Sequence, residues 1–199
     1  MKLHLAVLAF FLPFFATAAP PGAADTAYQL GERLPAGAGK SRPTVQRIFR
    51  TIDWDDLIPE DWDPMRVLKG LNLDKLQDSD PRAMKALERM KAEWSAAPVN
   101  PKMNGAAIRI SGFVVPLENS SGQLREFLLV PYFGACIHVP PPPSNQIIHV
   151  VVNKPLEGVR TMDAVWVSGM LETSRSETWM GHSGYRMKAV LVERYRNKP

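Results

Sequence analysis

The chain has 199 residues, 24 Lys and Arg against 20 Asp and Glu, a formal net charge of +4 and a single cysteine. The weak positive balance, with no stripe of Lys and Arg, excludes a nucleic-acid-binding surface, and one cysteine excludes an intramolecular disulfide. A fold of this length has to be held by its own hydrophobic core, which it is long enough to build.

In chain order, residues 1–19 read as a secretory signal peptide. Lys2 supplies the positive end, residues 3–15 the apolar stretch, and Ala16, Thr17, Ala18 and Ala19 the small residues of a cleavage site. The apolar run is shorter than the roughly 20 residues that cross a bilayer. The mature chain is therefore expected to be periplasmic, with no transmembrane segment. No cysteine stands at the cleavage site, so a lipid anchor is not indicated. Residues 20–50 are rich in Ala, Gly and Pro and read as a flexible leader.

Residues 51–104 read as a strap and a helix packed on the main domain. In "TIDWDDLIPEDWDP" (51–64), Trp54, Leu57, Ile58 and Trp62 are apolar points in an acidic run, expected to pin the strap to a surface. The acidic spacing lacks the glycine and terminal glutamate of a calcium loop. Asp80 and Pro81 suit the N-cap and first turn of a helix. Ala83, Leu87, Met90 and Trp94 share one helical face, expected to pack on the core, and Pro98 and Pro101 follow.

Residues 105–196 change to the two-residue period of strands. Ile108, Ile110 and Val114 alternate with Arg109 and Ser111. Residues 127–132 form a short apolar run. Ile148, Val150 and Val152 alternate with His149 and Val151, and similar patterns cover 165–171 and 185–192. Gly112 and Gly169 within these runs mark bulges or tight bends. The expectation is a mainly β protein with a helical N-terminal part. Its strands form a small five-stranded Greek-key barrel of the OB type, which removes exposed edges; a β-sandwich is the alternative. Asn119 begins an "NSS" glycosylation-acceptor triplet.

The stretch "FGACIHVPPPPSNQ" (133–146) holds the chemistry-bearing residues. Read as extended, as a residue before proline prefers, 135–139 points Cys136 and His138 the same way, roughly 6.6 Å apart. A thiolate and an imidazole suit zinc or copper(I). His149 and His182 are further candidate ligands, although a strand histidine is more often a core residue. Cys136 also reads as a buried small hydrophobe, or as a nucleophile if a base lowers its pKa. Pro140, Pro141, Pro142 and Pro143 favour a polyproline II rod of about 12 Å. With Asn145 and Gln146 the rod is either a partner-binding surface or a rigid wall holding the loop, its amides satisfying carbonyls that prolines leave without donors.

The segments "IDWDDLIPEDW", "ISGFVVPLE", "EFLLVPYFGACIHVPPPPSNQIIHV" and "VWVSGMLET" resemble a bacterial exported family designated only as domain of unknown function 3299, over about residues 52–195. The resemblance implies a periplasmic or lipid-anchored accessory protein without established enzyme activity. It also implies a link to zinc physiology and to an inner-membrane ABC-type transporter component as partner. Cys136, His138, the four prolines, Asn145 and Gln146 match its signature loop. Three functions follow as expectations: a zinc-binding accessory protein, a metal-free interaction module and a thiol-dependent enzyme.

Overall fold

Alternation along one strand builds the closure of the sheet. In the computed structural model, which describes residues 28–35, 48–66, 69, 80–117 and 123–196, β2 (Ala106–Pro116) is long enough to serve two neighbours. Its N-terminal half runs antiparallel to β5 (Ala164–Thr178), with Ile108 opposite Gly169. Its C-terminal half runs antiparallel to β3 (Gln123–Val130), with Phe113 opposite Val130. β3 pairs with β4 (Ile148–Glu157), β4 pairs in parallel with β6 (Gly181–Arg194), and β6 returns to β5. The result is one mixed sheet closed in a ring, not two facing sheets. A sixth strand, β1 (Arg50–Thr51), pairs in parallel with β2 at Ile108 and Arg109. Two residues carry no period, which is why only five strands were expected.

The proposed signal peptide (1–19), most of the 20–50 leader and the Asn119 triplet lie outside the described residues. The leader is not free over 28–35. Gly31 N–H donates to the Phe133 carbonyl and Phe133 N–H to that of Glu32, both at 2.9 Å, and the Tyr28 ring meets Phe113 edge-on at 5.1 Å.

Every second residue of the strands points into the ring. Ile108, Ile110, Phe127, Leu129, Ile148, Val150, Val167, Leu171 and Met187 form its interior. Each such side chain contributes about 1.5–3 kcal/mol when fully buried. A second cluster lies outside the ring wall, where Phe113, Val115, Leu128, Val130, Ala135, Ile147 and Met162 are covered by Tyr28, Phe133 and Cys136. Arg109, 3 % exposed, keeps its charge on the outer wall by stacking 3.8 Å above Trp166, with Glu193 at 3.9 Å.

The strap is pinned as expected, but by Trp54 and Leu57; Trp62 is only half-buried. Trp54 heads a short 3-10 turn (Trp54–Leu57) and its Nε1–H donates to the Ser111 carbonyl at 2.7 Å. The buried Tyr185 hydroxyl donates to the Leu57 carbonyl at 2.7 Å and accepts from Asn100 N–H at 2.6 Å. Gly112 leaves room for this: a Cβ there would stand 3.0 Å from Trp54 Cζ2 and 2.7 Å from the Val130 carbonyl.

Helix α1 (Pro81–Ser95) starts at an Asp80 cap that accepts from Arg82 N–H at 2.8 Å. Its burial departs from the sequence expectation. Only Ala86 is buried, Leu87 is 43 % and Met84 57 % exposed, and Met90 and Trp94 are half-buried. The apolar stripe therefore lines a surface instead of filling the core. Among the described residues no helix is long and apolar enough to cross a membrane.

Candidate functional site

The loop between β3 and β4 is a tight turn where an extended segment was expected. The Gly134 carbonyl accepts from the N–H groups of Ile137, His138 and Val139 at 3.2, 2.8 and 3.2 Å. Cys136 sits at φ +65° and Gly134 at φ +86°. The pre-proline restriction acts on Val139 alone, and glycine supplies the reversal upstream. The pairing of Cys136 and His138 on one extended face is thereby corrected: Ile137 and His138 project into solvent while Cys136 turns toward the outer cluster. Burial pushes the Cys136 thiol up to about 11 and also raises the Tyr132 hydroxyl.

The other histidines are occupied elsewhere. His149, on the outer side of β4, is 8 % exposed and places Nε2 3.0 Å from Glu126 Oε2. His182, in β6 near the β5–β6 turn, has Nδ1 3.8 Å from Glu177. Among the described residues, no three His, Cys, Asp or Glu side chains are gathered in a metal-holding group. Cys136, His138, His149 and His182 are thus not brought together.

The proline rod has two faces. Pro140 and Pro141 are exposed and Pro142 is buried, with the Pro140 carbonyl held by the Tyr132 hydroxyl at 3.2 Å. After Pro143, a 3-10 turn (Ser144–Gln146) faces inward, all three residues buried. Asn145 Nδ2–H donates to the Pro98 carbonyl at 2.8 Å and Gln146 Nε2–H to the Trp54 carbonyl at 2.7 Å. Asn145 and Gln146 are therefore not partner-facing, as a partner-binding loop would need. They clamp the strap and the helix exit to the ring. Replacing Gln146 by Ala orphans a buried carbonyl and is expected to cost about 1–3 kcal/mol. His138→Ala, at the exposed tip, should stay within about 0.5 kcal/mol. Urea unfolding midpoints of the two variants check both.

Between the exposed face of the rod and α1 opens a cleft of about 500 Å³. Pro140, Pro141 and Pro142 form one wall, Met90 and Trp94 the other, and Ile147 lines it between them; Lys91, Ala92, Ser95 and His182 are also in the lining. Trp94 is fixed by its Nε1–H, which donates to the Pro64 carbonyl at 2.9 Å. Two more open hollows beside α1 are lined by Arg66 and Glu93, a pair already joined at 3.7 Å. The helix wall was missed in the sequence because a Met and Trp stripe at helical spacing usually means core.

A closed mixed β ring, strapped at its N-terminal side and clamped by a polyproline turn, defines a small β-ring protein with a helix-walled cleft. Within that class the chain belongs to the family described as protein of unknown function (DUF3299), whose model matches residues 54–194. A DUF3299 family protein from Pseudomonas aeruginosa PAO1, solved by crystallography, is 33 % identical with a TM-score of 0.59, over 76 % of this chain and 99 % of that one. An OBody bound to hen egg-white lysozyme is 16 % identical with a TM-score of 0.33, over 53 % of this chain and 94 % of that one. No curated protein matches the chain in sequence.

Proposed function

We propose that the chain is an exported, metal-free binding module of OB-like topology that takes its ligand in the cleft between α1 and the proline rod. The OB-like reading is supported by the order of the ring, β2-β3-β4-β6-β5 and back to β2, with the parallel pair between β4 and β6, the third and fifth of the ring strands in chain order. The observation that carries the binding function is the cleft. Its roughly 500 Å³ falls within the range of about 300–1,000 Å³ typical of small-ligand sites, and such sites are likewise mostly apolar with a few polar groups. Export rests on the composition of residues 1–19. A transporter component, implied by the family resemblance, would meet the exposed Pro140 and Pro141.

The test uses N-phenyl-1-naphthylamine, an uncharged aromatic fluorophore, titrated into the exported chain. Saturable enhancement is expected. Ala92→Trp, which fills the cleft from an exposed helix position, should weaken it at least about tenfold, the scale of a lost apolar contact, with an unchanged urea midpoint. Absence of saturable binding, or equal binding by the variant, overturns the cleft as the site.

A further inference from the structure

The polar groups around the cleft are unequal in what they have left to offer. The Trp94 indole N–H is used by the Pro64 carbonyl, and the Ser95 hydroxyl donates to the Ala92 carbonyl at 2.9 Å. The Pro140 carbonyl is taken by Tyr132. Proline nitrogens carry no N–H. What remains among the lining side chains is Lys91, a donor with no acceptor capacity, and His182. Among the described residues Lys91 is in no ion pair, and no carboxylate lines the cleft. Glu177 stands 3.8 Å from His182 Nδ1, with its side chain 80 % exposed.

Resting on the proposed function, we infer that the cleft is built for an amphipathic carboxylate: an apolar chain lying between the Met90–Trp94 wall and the prolines, with its acid group at Lys91. The apolar walls supply area for a chain but no acceptor for a polar head. Among the described lining residues Lys91 is the one Lys or Arg and no carboxylate joins it, so the ligand brings the opposite charge. A neutral chain fills the walls and leaves the ammonium without a partner; a cationic chain meets like charge there.

The experiment displaces N-phenyl-1-naphthylamine from the exported chain with decanoate, decan-1-ol and decylamine at pH 7.5, each below its micelle concentration. Decanoate is expected to displace the fluorophore about tenfold more tightly than decan-1-ol, the scale of one charge-assisted hydrogen bond, and decylamine least of all. Lys91→Met, at an exposed position, should abolish the preference for decanoate while leaving decan-1-ol unchanged. Equal displacement by all three overturns the anion inference and leaves the cleft reading standing. Saturable fluorophore binding that none of the three displaces, or a preference that survives in Lys91→Met, also overturns the inference alone. Failure of the fluorophore itself to bind overturns both.

Discussion

Trp54→Ala is expected to destabilise the chain by about 3–5 kcal/mol, the range for removing a large aromatic from a packed site, read as a shift in urea midpoint. The residue is 6 % exposed, belongs to the interior cluster, and is tied at two points of its own. Its indole donates to Ser111, and its carbonyl accepts from Gln146. Trp54→Phe keeps most of the apolar volume and orphans the Ser111 carbonyl, so about 1–3 kcal/mol should go. Combining Trp54→Ala with Gln146→Ala should cost less than the sum, because both loosen one strap and share a contact. A loss under about 1 kcal/mol for Trp54→Ala would mean that the strap opens separately from the ring. The proline clamp would then be holding a segment that contributes nothing to global stability.

The parts of this architecture legible in the sequence are those with a local period. Ile108 and Ile110, or Ile148, Val150 and Val152, alternate because each strand buries one face inside the ring, and alternation survives without knowledge of the partner strand. Gly112 and Gly169 read as bulges or tight bends; a register shift does fall at Gly169, whereas Gly112 pairs in unbroken register and serves a close approach instead. A Cβ at Gly112 meets Trp54, and at Gly169 it would meet the Lys188 carbonyl, beside the register shift between β5 and β6. Asp80 and Pro81 announced the helix start through chemistry confined to one turn.

What was not legible depends on partners far along the chain or on single backbone angles. β1 exists only because Arg50 and Thr51 find β2. Cys136 adopts a left-handed conformation that non-glycine residues rarely take, so no propensity rule points to it, and with it fell the metal geometry drawn on an extended loop. The amides of Asn145 and Gln146 do satisfy carbonyls. Those carbonyls, however, belong to Pro98 and Trp54, 47 and 92 positions away, not to the neighbouring prolines. The helix stripe was visible, but whether a stripe is covered is a tertiary fact.

The Cys136 thiol is expected to react with iodoacetamide at pH 7 at least about tenfold more slowly than an unhindered cysteine. Burial moves it from the ordinary 9.0 to about 11, which lowers the thiolate fraction at neutral pH about a hundredfold. The more basic thiolate recovers part of that, about eightfold for a Brønsted slope near 0.4–0.5, and packing against the outer cluster takes more away. Among the described residues no hydrogen bond joins Cys136 to His138, so no base offsets the cost of ionisation. The rate should climb with pH until about 11, and unfolding in urea should restore the free-cysteine rate. The sign for stability follows from the raised value. Folding favours the protonated thiol, so this contribution is intact below about 9 and is lost as pH rises toward 11. Tyr185, whose hydroxyl burial pushes up to about 12, adds a loss of the same sign at higher pH. Zinc coordination and thiol catalysis both require the thiolate, so one pH–rate profile bears on both. Reaction faster than a free cysteine would reinstate a catalytic thiol. Protection of Cys136 by equimolar zinc, lost in His138→Ala, would reinstate a metal site that the turn would have to open to form. A slow, zinc-indifferent thiol leaves Cys136 as a packing residue that seats the turn on the ring wall.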